Sequence, residues 1–390
     1  MNLTKVIIAP DSFKGALTAR EATEIIADEV RLAFPNCEII KMPIADGGEG
    51  SVDAVLSAIG GRVISETVTS PDFRHIEAKY GITDNGTAII EMAQSSGITR
   101  QLQLNPMTSD TFGFGELILA ALDNNVRTFT LCIGGSATTD GGCGMAAALG
   151  VKFFEKTDEP SPCLLHKTDE PSPCLHCFTP CGETLQHIKS IDMSGIDKRV
   201  AESVFTVMCD VDNPLYGVRG AAYVYGPQKG ANPGQVQILD EGLRHYGSVL
   251  LKHFDKNFSE IPGAGAAGGL GAGCMAFLGA ELKSGIDAIL ELYSFRTQLQ
   301  GADFVITGEG KLDSQSFRGK VLSGILRESG NVPIVAICGA CDCDPVILEE
   351  KGITAFEASE GITVEESMGN PEKYLRVATK RAIDFITKTD

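Results

Sequence analysis

The residues best suited to chemistry are acidic and basic side chains set among glycines in four segments: Asp11-Ser-Phe-Lys-Gly15, Asp46-Gly-Gly-Glu-Gly50, Gly134-Gly-Ser-Ala-Thr-Thr-Asp-Gly-Gly142 and Thr307-Gly-Glu-Gly-Lys-Leu-Asp313. Glycine reaches positive φ and lets backbone N–H groups approach phosphate oxygens, and a helix that starts just afterwards adds its dipole. Carboxylates in such loops could hold Mg2+ or accept a hydroxyl proton. One such segment alone reads as a tight turn, but four in one chain weaken that reading. A fifth segment, Asp210-Val-Asp-Asn-Pro-Leu215, follows the apolar run from Ser203 to Cys209. Its two carboxylates, two residues apart, share a face of an extended chain as a metal pair would; an Asx turn ahead of Pro214 accounts for it equally well. Lys14, Lys229 and Lys320 are the loop lysines that could neutralise phosphate, although a lysine in a loop is commonly just solvated.

Positioning these residues requires strands that end where the loops begin. Lys5 to Ala9 and Glu38 to Met42 are short β-branched runs, and Thr18-Ala-Arg-Glu21 between them is a capping box. It opens a stretch in which Ala22, Ile25, Ile26, Val30 and Ala33 share one helical face, so the start of the chain reads as a βαβ unit with a parallel strand pair. The same pattern returns with Asp303 to Thr307 and Pro333 to Cys338, so one sheet is expected to draw on both ends of the chain. The middle differs. Thr67 to Tyr80 and Ala88 to Met92 read as antiparallel-style strands, followed by a helix from Gly115 to Leu122 and a buried strand from Thr128 to Ile133. The fold class is therefore α/β: a Rossmann-like, doubly wound parallel-sheet domain from residues 1–65 and 285–390, with a second α/β domain, 66–284, inserted. Open α/β sheets bind ligands beyond the carboxyl ends of their strands. The site is thus expected between the domains, with Asp11, Lys14, Asp46, Glu49, Glu309 and Asp313 on one wall and Ser136, Thr138, Thr139 and Asp140 on the other.

Bulk properties exclude several other classes. Thirty-three basic against 51 acidic residues give a formal charge of −18, which repels nucleic-acid backbones but leaves room for a local anion pocket. No apolar run approaches the roughly 18 residues needed to span a bilayer, so no membrane partner is expected. The N-terminal apolar run is too short for a signal peptide. The twelve cysteines include Cys132, Cys209 and Cys338 inside apolar strands, the usage of a reduced, cytoplasmic protein. There is no Walker A pattern and no HRD or DFG signature. Gly263-Ala-Gly-Ala-Ala-Gly268 matches the dinucleotide fingerprint, but Gln237 to Phe258 before it reads as a helix where a strand is required, so an NAD-dependent oxidoreductase acting on a small hydroxy acid is the runner-up. Cys163, Cys174, Cys177 and Cys181 with His166 and His176 contain a single Cys-x2-Cys and make a metal-binding module the third reading. Cys338, Cys341 and Cys343 lack a nearby histidine and are assigned to packing. The nonapeptide Lys-Thr-Asp-Glu-Pro-Ser-Pro-Cys-Leu occurs twice, from Lys156 and from Lys167. Its prolines forbid a helix or central strand, so residues 156–175 are expected to form an exposed, dispensable loop.

Taken in order, Ala9 to Gly15, Ala45 to Gly50, Gly134 to Met145, Cys209 to Leu215, Gly226-Pro-Gln-Lys-Gly-Ala231, Pro262 to Gly271 and Thr307 to Gly310 resemble the bacterial glycerate kinase family over nearly the whole chain. The resemblance implies transfer of the γ-phosphate of ATP to D-glycerate with Mg2+, in organic acid catabolism. It favours 2-phosphoglycerate as product; the residues themselves do not choose between the two hydroxyls. With the motifs it assigns Asp46, Asp210 and Lys14 to catalysis and Asp11, Ser12, Gly47, Gly48 and Glu49 to the substrate. Nucleotide falls to Gly135, Ser136, Thr138, Thr139, Asp140, Gly308, Glu309, Gly310 and Asp313, and the metal to Asp46, Asp210 and Asp212. The duplicated segment is the departure from the family pattern. A homo-oligomer is left open.

Overall fold

The computed structural model describes residues 3–44, 48, 50–156, 175–317 and 321–388. The chain divides into two compact units, one formed by Met1–Asp46, Asp53–Gly60 and Ser284–Asp390, the other by Gly47–Val52 and Gly61–Lys283.

In the first unit five parallel strands make one sheet, in the order Ile353–Glu357, Ile334–Cys341, Phe304–Leu312, Lys5–Pro10, Glu38–Lys41. The inner strands are continuous apolar runs because helices cover both faces. Ile8, Ile306 and Val335 pack on one face against Ile26 and Val30 of the helix Ala19–Ala33 and Leu375 and Ile386 of Pro371–Lys388. Ala336 and Cys338 face the other way, towards Leu322 and Leu348. The capping box forms as expected: the Glu21 N–H donates to Thr18 Oγ1 at 3.2 Å and the Thr18 N–H to Glu21 Oε2 at 2.9 Å, a helix start worth about 1 kcal/mol. Both ends of the chain do share this sheet.

One strand runs further than the sequence suggests. Residues 308–310, expected in a loop, remain inside the strand Phe304–Leu312, with Gly308 paired to Ile337 and Lys311 to Ala340. The glycines make this close packing feasible, since a Cβ on Gly308 would lie 2.2 Å from the Ile337 carbonyl oxygen and one on Gly339 2.4 Å from that of Gly310.

The second unit holds a six-stranded mixed sheet, in the order Glu281–Lys283, Val204–Met208, Thr128–Cys132, Thr87–Glu91, His75–Thr83, Gly61–Thr69. Residues 61–65, grouped with the first domain by the sequence, are the opening rungs of this sheet, from Gly61 opposite Thr83 to Ser65 opposite Lys79. Thr87–Glu91 lies antiparallel to His75–Thr83 but parallel to Thr128–Cys132. Phe114, Leu117 and Ile118 of the helix Phe112–Asp123 pack against it. A smaller antiparallel sheet, Leu175–Phe178, Lys152–Lys156, Ile188–Asp192, lies beside the helix Pro233–Phe254, which opens on an Asn232 capping box. The core of the duplicated segment, residues 157–174, lies outside the described residues. Among the described residues no helix is long and apolar enough to cross a membrane.

Candidate active site

In the first unit the parallel register sets the carboxyl ends of Lys5–Pro10 and Phe304–Leu312 side by side, with Ala9 opposite Thr307 and Pro10 opposite Gly308. Two hydrogen bonds lock the ends together: the Asp11 N–H donates to the Gly308 carbonyl and Thr307 Oγ1 to the Ala9 carbonyl, both at 2.8 Å. The chain then doubles back between Phe13 and Leu17 through Gly15 at φ +79°, which leaves Lys14 exposed. A Cβ on Gly310 would sit 3.3 Å from the Lys14 backbone nitrogen, so Asp11, Ser12, Lys14, Gly308, Glu309 and Gly310 occupy one end of this sheet. Asp313 closes a turn, its Oδ1 accepting from the Gln315 N–H at 2.8 Å. Asp46, Gly47 and Glu49 lie outside the described residues; the Gly48 carbonyl accepts from Ser51 Oγ at 2.8 Å.

In the second unit the strand Thr128–Cys132 feeds the loop from Gly134 to Gly142, where Gly135, Gly141 and Gly142 all take positive φ. Ser136, Thr138, Thr139 and Asp140 are buried there, while Gly134 and Gly135 are exposed. The Asp140 carboxylate faces inward: Oδ2 accepts from the Thr111 N–H at 2.9 Å, Thr111 Oγ1 at 2.7 Å and the Gly144 N–H at 3.0 Å. Thr139 Oγ1 is buried with no hydrogen-bond partner. Beneath the loop lies Lys229, only 2% exposed, whose Nζ donates to the Thr138 carbonyl at 2.5 Å and to Ser136 Oγ at 3.1 Å. Burial lowers its pKa to about 7, against the opposing pull of Asp140.

The glycine run that matched a dinucleotide fingerprint supports this same loop. Ala267, Gly268 and Gly269 have positive φ, the Gly141 N–H donates to the Gly268 carbonyl at 3.1 Å, and a Cβ on Gly268 would fall 2.0 Å from the Thr138 carbonyl oxygen. The run follows the helix Pro233–Phe254 and is not the strand-to-helix turn that a Rossmann NAD site requires.

Sequence reasoning missed Asp110. It is buried beside Asp140 and its Oδ1 accepts from the Phe112 N–H at 2.9 Å. Burial, with the Asp140 charge adding, pushes its carboxyl up to about 7. The available signal was Ser109-Asp-Thr111 ahead of an apolar helix, a capping pattern. Glu91 was missed as well: it is 2% exposed and accepts the Val52 N–H at 2.7 Å near the start of the helix Ser51–Ile59.

Asp210 and Asp212 lie just past the end of Val204–Met208, both exposed. Among the described residues no group of three or more His, Cys, Asp or Glu is arranged to hold a metal ion. Cys177 is exposed and Cys181 half-buried; Cys163, His166 and Cys174 lie outside the described residues. A pair of exposed carboxylates still suits Mg2+, which usually takes one or two from protein and fills its shell with water and phosphate oxygens.

Parallel strands that end in glycine-rich loops, one of them over a buried lysine, have the build of an α/β protein that binds a small molecule at its strand ends. The model of the glycerate kinase family matches residues 6–387. The chain is 40% identical over 383 residues to a glycerate kinase of Bacillus cereus, covering 96% of each chain. It is 39% identical over 356 residues to the glycerate 2-kinase of Escherichia coli, covering 90% of this chain and 89% of the relative. A crystal structure from Salmonella typhimurium LT2, assigned as glycerate kinase 2, superposes with a TM-score of 0.82 at 34% identity over 99% of both chains. This chain belongs to the glycerate kinase family. The oxidoreductase alternative has no support in these relatives.

Proposed function

We propose that the chain is an ATP-dependent kinase that phosphorylates D-glycerate, with the 2-hydroxyl as acceptor. The observation that carries this reading is family membership across residues 6–387, together with glycine-rich loops at the carboxyl ends of parallel strands. Phosphoryl transfer asks for alignment and charge neutralisation more than covalent help. In this reading ATP supplies the phosphoryl group and Mg2+ neutralises its developing charge. Lys14, exposed on its turn, pairs with the substrate carboxylate or a phosphate, and Asp11, Ser12 and residues 47–49 bind glycerate. Gly135, Ser136, Thr138 and Thr139 are the proposed nucleotide residues of the second unit, and Gly308, Glu309, Gly310 and Asp313 those of the first. The buried Thr139 hydroxyl without a partner supports this assignment, because such a group is expensive unless a ligand satisfies it. Asp140 holds the loop from within. Lys229 is a positioning residue that fixes the Thr138 carbonyl and adds positive potential below the loop. Asp46, Asp210 and Asp212 are the proposed Mg2+ ligands, with Asp46 and Asp210 ranked first among the acids.

The cytoplasm is the proposed location, in keeping with ten described cysteines that are all free thiols. Purified protein with Mg2+, ATP and a panel of small hydroxy acids tests the function: ADP release with D-glycerate supports it, and none with any acid refutes it. Coupling the product to enolase without a mutase reports the 2-phosphate; a signal only after mutase is added overturns the choice of hydroxyl.

A further inference from the structure

A cavity of about 540 Å³ opens on the second unit where three stretches of chain meet, residues 71–73, 101–109 and 230–235. A volume of that order accepts a small organic molecule. The lining has no lysine or arginine, and its one carboxylate, Asp72, is engaged by Ser70 Oγ, Arg74 Nε and the Leu102 N–H. The other polar side chains there are neutral amides and hydroxyls. Two of the amides serve their own turns: Asn105 Nδ2 donates to Thr108 Oγ1 at 3.0 Å, and Gln235 Oε1 accepts from the Asn232 N–H at 2.9 Å. Gln103 is exposed. The Gln101 amide has Ser109 Oγ at 2.9 Å from its oxygen, while its nitrogen is buried with no hydrogen-bond partner. An unpaired amide end is costly there unless a ligand meets it.

Phe73 adds an apolar face to this wall and is 60% exposed. Its backbone stands at φ +62°, and of the five non-glycine residues at positive φ among the described residues it alone carries a large apolar side chain. Such a conformation persists only where the surroundings impose it. Here a tight turn does so: the Phe73 N–H donates to the Ser70 carbonyl at 2.9 Å and the Ser70 N–H to the Arg74 carbonyl at 2.8 Å.

Each stretch that lines the cavity runs directly into one that holds the Gly134–Gly142 loop. Gln101 follows shortly after Ile98, whose N–H donates to the Gly135 carbonyl at 3.0 Å. Ser109 lies just ahead of Thr111, which binds Asp140, and Gly230 follows Lys229, which binds Ser136 and Thr138. The two lining stretches touch, since a Cβ on Gly230 would fall 2.9 Å from the Leu104 Cβ.

We propose that this cavity is the nucleobase subsite of the nucleotide site. Adenine stacks on Phe73 and turns its hydrogen-bonding edge to the amides of Gln101 and Gln103; the phosphates, for which the cavity has no cation, leave towards the Gly134–Gly142 loop. A side-chain amide matches an adenine edge because each presents a donor beside an acceptor. The assignment deepens the kinase reading and rests on it.

The chain has no tryptophan, so Phe73→Trp places a single fluorescent reporter on the cavity wall. In the full chain, adenosine and ADP should each quench its emission and should compete with one another. In calorimetry Phe73→Ala should weaken ADP and adenosine about 5- to 150-fold, the size of one lost base stack, and Gln101→Leu about 5- to 10-fold. Inorganic tripolyphosphate should bind both variants as it binds wild type, and Phe73→Tyr should keep wild-type affinity for ADP. ADP that binds wild type yet leaves the reporter's emission and both variants' affinities unchanged overturns the cavity assignment alone. An equal loss of tripolyphosphate, or adenosine quenching that ADP does not relieve, overturns it too. Wild type that binds neither ADP nor ATP removes the kinase reading and this one with it.

Discussion

Replacing Lys229 by Met separates the electrostatic cost of burying this lysine from the hydrogen bonds it makes. Its folded pKa of about 7 lies far below the value of an unfolded lysine, so between those values the unfolded chain holds a proton that the folded chain has lost. Stability therefore rises with pH across that window, and it falls as pH drops towards 7. With an unfolded pKa of about 10.4, the lysine disfavours folding by about 4–5 kcal/mol at pH 6 and by about 2 kcal/mol at pH 9, a difference of about 2–3 kcal/mol. Methionine fills a similar volume and carries no proton, so that slope disappears in the variant. The loss of the bonds to the Thr138 carbonyl and Ser136 Oγ adds a penalty of about 1–3 kcal/mol that does not depend on pH. Urea unfolding of both proteins from pH 6 to 9, followed by far-UV circular dichroism through the transition that the substitution moves, reads the two contributions apart. Wild type should gain about 2–3 kcal/mol on the variant between pH 6 and 9. A difference that stays flat across that range refutes the buried, depressed lysine.

Asp110→Asn should give the mirror image: a carboxyl raised to about 7 loses its stabilising proton as pH rises, so the variant should gain about 3–4 kcal/mol on wild type between pH 4 and 7 and hold it above, in the same unfolding assay. Asp140→Ala strands the Thr111 and Gly144 donors and should cost about 3–5 kcal/mol in urea unfolding. Thr139→Val removes a hydroxyl that has no partner, so stability should hold within about 1 kcal/mol while the KM for ATP rises about five- to thirtyfold; the reverse pattern makes Thr139 structural. Asp210→Asn should lower kcat by about a hundredfold and raise the Mg2+ concentration needed for half-maximal rate, which steady-state kinetics across a Mg2+ titration would detect.

What the sequence revealed tracks how local each signal is. The Thr18 capping box is complete within four residues and is found where expected. The parallel pairing of Lys5–Pro10 with Glu38–Lys41 follows from the helix between them. Pairing direction elsewhere is not local: Thr87–Glu91 is buried on both faces and has an antiparallel neighbour on one side and a parallel one on the other, a difference that no alternation records. The glycine-rich loops were legible because glycine marks unusual backbone. Their interiors were not. Lys229 reads as one more loop lysine until the folded chain buries it under Ser136 and Thr138, and Asp110 acquires its raised pKa only when the fold buries it, with the charge of Asp140, thirty positions later in the chain, adding to the shift.

The sheet that joins the two ends of the chain also constrains the order in which the molecule can assemble. The Thr4 and Lys5 N–H groups donate to Asp303 Oδ2 at 2.6 and 2.9 Å, across a separation of 299 residues for Thr4. Closing a loop of that length in an otherwise unfolded chain costs about 2 kcal/mol more than the roughly 33-residue closure that pairs Lys5 with Glu38. The inserted unit can remove most of that handicap. Its two ends enter and leave through the opposite edge strands Gly61–Thr69 and Glu281–Lys283 of one six-stranded sheet, so once folded it spans roughly 24 Å between them, where a coil of the same length would spread over about 80 Å. Assembly from the inside outward follows: the inserted unit gains hydrogen-exchange protection first, and Lys5–Pro10 gains it only when Phe304–Leu312 arrives to take the place beside it. During synthesis the first strand of the chain must wait, with one edge unpaired, for a partner made almost three hundred residues later.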